Sequence, residues 1–146
     1  MFLKKSQAAL EFIMTYGWAI LIVIVVIAAL AYFGVLSPDK FLPSRCTLPA
    51  GIGCIDYLAS GADGSILVTL QNSLGIDITS VTVRISGCTI SDTKTRLNNG
   101  AKIEFTPSGC SITSGQKYSG QVNVTYTNFD TGIIHTLQGA LITKVE

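Results

Sequence analysis

Two hydrophobic patterns divide the chain. From Phe12 to Leu36 there is no charged residue, a run of roughly 25 residues. As a helix rising about 1.5 Å per residue it would reach about 37 Å, and a bilayer core of about 30 Å needs only about 20 residues. The run is apolar on every side, so it does not read as a surface helix. Its centre, Ile20 to Ile27, is β-branched apart from Leu21. Such residues are mediocre helix formers in water, but lipid obliges a segment to satisfy its own backbone groups. Tyr32 and Phe33 fall where interfacial rings are common. Pro38 disfavours helical geometry at Ser37, so the pattern predicts a helix over residues 7–37.

From Gly64 the period becomes two. Ile66, Val68 and Leu70 alternate with polar or partly polar neighbours, as do Val81, Val83 and Ile85. Ile103 with Phe105 and Val122, Val124 with Tyr126 repeat the pattern. A last run, Ile133 to Val145, reads as a long strand broken at Gly139. Turn signals such as Asn72-Ser73-Leu74-Gly75, Asn98-Asn99-Gly100 and Asp130-Thr131-Gly132 separate the runs. Short alternating strands with frequent turns predict an antiparallel sandwich. The expected fold class is α+β: a long hydrophobic helix followed by a small Ig-like β-sandwich head over residues 64–146. Residues 38–63, interrupted by Pro38, Pro43, Pro49, Gly51, Gly53 and Gly61, predict an irregular joint between the two.

Composition refines this picture in two ways. From Ser37 onward eight basic residues balance eight acidic ones, with the signs interspersed. A nucleic-acid-binding face needs a basic patch, so that class is not expected. All four cysteines, Cys46, Cys54, Cys88 and Cys110, follow the apolar run. An even count past a membrane segment reads as two disulfides, with three connectivities open. Cys46 and Cys54 bracket a short Pro/Gly stretch, and their pairing is expected to pin the joint. Cys88 with Cys110 would then close a loop of roughly 20 residues, stabilising by about 3 kcal/mol in the chain-entropy account.

The sequence Lys4-Lys5-Ser6-Gln7-Ala8-Ala9-Leu10-Glu11 stands before the apolar run. It resembles the class III signal peptide of archaeal type IV pilins, in the pilin and archaellin superfamily. The resemblance covers about the first 30 residues and implies a leader over residues 1–6. A membrane-embedded prepilin peptidase would cut between Ser6 and Gln7 on the cytoplasmic side, and the apolar helix would be kept. Ser6 departs from the Gly or Ala more usual there. Glu11 becomes the fifth mature residue, where a glutamate marks the family. The family's partners are implied with it: other copies of the chain in a helical homopolymer, a membrane assembly platform, and lipid before assembly.

Cutting before Gln7 would free an α-amino group about a turn from Glu11. Two staggered helices could then pair the amine of one with Glu11 of the next, a polar contact that selects one register. Lys4 and Lys5 place the N-terminus in the cytoplasm and the head outside, by the positive-inside rule. The expected location is the cell membrane for the precursor and a surface filament for the mature chain. Two other readings stay open: a secretory signal cut before Tyr32, after Ala29-Leu30-Ala31, and an uncleaved signal anchor.

No catalytic, cofactor or metal constellation is legible. His135 is the single histidine, and the cysteines lack the Cys-x-x-Cys spacing of a zinc site. No Gly-x-Ser-x-Gly elbow, phosphate loop or Asp-x-Asp calcium loop occurs. Asp56 reads as a capping or turn residue. Asn123-Val124-Thr125 is an N-glycosylation sequon, and alternation turns Asn123 away from Val122 and Val124, hence outward. The expected function is therefore structural rather than enzymatic: a pilin for adhesion or surface contact. An archaellin-like or minor pilin subunit, and an anchored binding module that does not polymerise, are the alternatives.

Overall fold

The computed structural model describes residues 2–34 and 42–146, with side chains from Ser6 onward. The chain forms two compact units, Met1–Phe41 and Leu42–Glu146.

Among the described residues of the first unit there is one helix, α1 (Phe2–Tyr32). It stops short of the expected residue 37. Gly34 adopts a left-handed φ of 71°, and the N–H of Phe33 and of Gly34 bond back to Ala29 and Ala31. That is a glycine C-cap, which ends the helix before Pro38 has any say. The expectation for Ser37 and Pro38 lies outside the described residues.

The second unit is a two-sheet antiparallel sandwich. Its strands are β1 (Arg45–Thr47), β2 (Ile52–Ser60), β3 (Ser65–Asn72), β4 (Ile78–Ile85), β5 (Cys88–Ile90), β6 (Asp92–Leu97), β7 (Lys102–Phe105), β8 (Ser108–Cys110), β9 (Lys117–Asn128) and β10 (Ile134–Lys144). The first sheet runs β1-β10-β9-β4-β6; the second runs β2-β3-β8-β5, with β7 also on β3. Residues 45–47 and 52–60 are thus strands of the head rather than an irregular joint. β2 escapes alternation because a bulge between Cys54 and Asp56 interrupts its register.

Most of the alternating apolar residues form the core, joined by others such as Leu141. Val81, Val83, Val122, Val124 and Leu141 from one sheet meet Ile66, Val68, Leu70 and Phe105 from the other, all with no exposed surface. Burying each such side chain is worth about 1.5–3 kcal/mol. A bulge in β4 between Thr79 and Thr82 reverses the alternation, so Ile78 as well as Val81 points inward.

Both disulfides form as expected, Cys46–Cys54 and Cys88–Cys110. The first links β1 in one sheet to β2 in the other. The second joins residues directly opposite each other on β5 and β8. β10 runs through Gly139 without a break, because Gly139 pairs with Val122. A Cβ at 139 would lie 2.2 Å from the Thr47 carbonyl oxygen, so the glycine serves close approach of β1. Past β10, Val145 bridges to Ala59, and the Glu146 N–H bonds the Ala59 carbonyl at 2.9 Å.

Candidate functional site

The helix carries the expected processing and assembly residues in its first turns. Ser6, Gln7 and Glu11 are all helical, and Glu11 is exposed. The Glu11 carbonyl accepts a 2.8 Å hydrogen bond from the Thr15 hydroxyl. Further along, Phe12, Ile13, Trp18, Leu21 and Ile24 remain well exposed. The segment Ser6–Tyr32 is long and apolar enough to cross a membrane.

On the head, the outer face of the first sheet collects hydroxyls and amides. Thr93, Thr82, Thr125 and Thr136 are successive cross-strand partners on β6, β4, β9 and β10. Two contacts tie the row: Thr82 to Thr93 at 2.9 Å and Thr125 to Thr136 at 3.3 Å. Alternation placed Thr82 and Thr125 outward on their own strands, but only strand order brings in Thr93 and Thr136 and reveals that the four align.

The next row holds Arg84 opposite Asn123, with Gln138 beyond. Asn123 lies on the expected face, away from Val122 and Val124, yet it is only half exposed. Its Oδ1 is buried without a hydrogen-bond partner. It borders a polar cleft of about 290 Å³ shared with Arg84, Ser86, Thr89 and Ser91. Nothing in the linear pattern signals that cleft, because the chain leaves one sheet at Gly87 and returns to it at Asp92.

One end of the sandwich is organised by charge. The Arg96 guanidinium lies 4.5 Å over the Phe129 ring, donates to Asn98 at 2.8 Å, and pairs with Asp77. Asp77 also accepts the Asn99 N–H at 2.9 Å. That backbone donor first, and the Arg96 hydrogen bond second, hold the Asp77 carboxyl below its ordinary range. His135 stacks on Tyr126, ring centroids 5.3 Å apart, and is exposed. Asp56 lies at the bulge inside β2, not at the cap or turn expected of it, and accepts the N–H of Tyr57 at 2.8 Å. Among the described residues, no three His, Cys, Asp or Glu side chains are grouped to hold a metal ion.

Comparison with known proteins adds no relative: no family model matches the chain, and no curated protein matches it either.

Proposed function

We propose that the chain is a pilin-like structural subunit, held in a membrane by α1 as a precursor. It is cut between Ser6 and Gln7 and assembled through the same helix with the head outside. One observation carries the reading: a helix of 31 residues keeps its large apolar side chains exposed from Leu10 to Tyr32, while the head completes a core of its own. Such a helix needs an apolar environment, which lipid supplies first and neighbouring helices supply later. Exchange of one for the other gains little hydrophobic energy, so packing and polar pairing must hold the assembly. Glu11 is the polar group placed to do so, against the amine freed at Gln7. The resemblance of Lys4 to Glu11 to a class III signal peptide supports the same reading, and the threonine-rich face suits contact with water, glycans or other cells.

The test is mass spectrometry of the protein taken from its own cell surface. A mature chain beginning at Gln7, in sedimentable filaments that Glu11→Gln abolishes, is the expected result. A chain retaining Met1 and never found in filaments would replace this reading with an anchored module. A chain beginning at Tyr32 would make it a secreted domain.

A further inference from the structure

β10 is covered unequally on its two sides. Along β9 it is paired over its whole length, Ile134 to Lys144. On the other side β1 reaches only Ala140 to Ile142. The chain then turns off the edge at Leu48 and Pro49, and proline has no N–H to continue a ladder. Among the described residues, no strand pairs with Ile134–Gln138 on that side.

The direction of the free groups follows from the hydrogen bonds already made. Ile133 accepts the Asn128 N–H at 2.9 Å, so odd-numbered residues of this strand face β9. The even-numbered ones face away from it, by the alternation of an antiparallel ladder. Ile134, Thr136 and Gln138 therefore aim both N–H and C=O out of the sheet.

This edge lacks the usual protection. From Thr131 to Thr143 there is no Asp, Glu, Lys, Arg or Pro. Ile133 and Ile134 are 57% and 68% exposed. The other edges are guarded by the devices natural sheets use. β6 carries Asp92 and Lys94, ion-paired at 3.3 Å, on its inward-facing side. β2 is bulged, β7 has Lys102 and Glu104 in four residues, and β5 is three residues long.

We infer that this edge is a self-association site, where β10 pairs antiparallel with β10 of a second copy about Thr136. The edge is complementary to itself. Thr136 meets its own counterpart, and Ile134 meets Gln138 in both directions, so all three residues with free backbone groups are used. No like charges are brought together. The threonine row also continues across the junction, because Thr136 is its outermost member. The apolar helix favours the same occupant, since chains sharing a membrane meet at a raised effective concentration. The contact is isologous, so it closes after two copies. It does not require cleavage at Ser6 or a filament, and it is tested on the uncleaved chain.

The experiment introduces Thr136→Cys into the full chain in detergent and oxidises it. All four native cysteines are in disulfides, so the new thiol stands alone. Thr95→Cys, exposed on β6, is the control. Thr136→Cys should give a covalent dimer at several times the yield of the control. Ile134→Pro, which removes an outward N–H, and Ile134→Lys, which charges the edge without touching the backbone, should each return the yield to the control level. Retained native disulfides and far-ultraviolet dichroism would certify the fold in both. A Thr136→Cys yield no higher than the control, or a dimer undiminished by both Ile134 variants, would overturn the proposal.

Discussion

Asn72 holds three backbone groups at once, two in the turn that follows it and one at the end of β6. Its amide nitrogen donates to the carbonyls of Ile76 at 2.7 Å and Leu97 at 3.1 Å, and its amide oxygen accepts the Leu74 N–H at 3.0 Å. The residue has no exposed surface. Asn72→Ala strands these groups away from water, at a cost of about 1–3 kcal/mol. The urea midpoint of the head, followed by circular dichroism, should fall accordingly; an unchanged midpoint would remove Asn72 from this role. Asp77 gives a pH-dependent counterpart. Its carboxyl titrates lower in the folded chain than in the unfolded one. It therefore contributes stability above the ordinary carboxylate range, and that contribution is lost as pH falls through its folded value. Asp77→Asn should be less stable than the parent at neutral pH, and the two should converge in strong acid. Parallel curves at every pH would sink the assignment.

At the scale of elements, what alternation could read was the set of strands with one face in the core. β3, β7, β9 and β4 from Val81 onward were legible because their inward residues recur at every second position, whereas β10 stood out only as a long run. β5 and β8 were not, since three residues carry no period and a disulfide holds them together. β6 was hidden because Asp92-Thr93-Lys94-Thr95-Arg96 has no apolar member to mark a face. Asn72 read as the start of a turn, and its burial depends on neighbours distant in sequence. Gly139 looked like a break because a glycine in a strand usually weakens it; its reason lies on β1, more than ninety positions away by register. Gly139→Ala should displace β1, at a cost of about 1–3 kcal/mol. Hydrogen exchange at the Arg45 and Thr47 amides should accelerate while the β9 amides stay protected. Unaltered exchange at β1 would show that the close approach can relax.

At the scale of the molecule, the two proposed modes of association have different symmetry. A helix assembled in one stagger makes a heterologous contact, which repeats without closing and so extends. Edge pairing through β10 is isologous and joins chains in twos. The two need not share a surface: one uses Glu11 and the apolar helix, the other Ile134, Thr136 and Gln138. Of the candidate functional residues, Ser6, Gln7, Glu11 and Asn123 were nameable from local sequence because each belongs to a short contiguous motif. The bare edge was not, since it is defined by where β1 stops, and only the fold brings β1 to β10.

The placement of the disulfides has a consequence for how the chain comes apart. Both loops, Cys46–Cys54 and Cys88–Cys110, lie wholly within the head. A protease that nicks the backbone inside either loop leaves the pieces covalently joined. A single scission anywhere between Tyr32 and Cys46 is spanned by neither, so it breaks the covalent link between helix and head and leaves both staples in the sandwich.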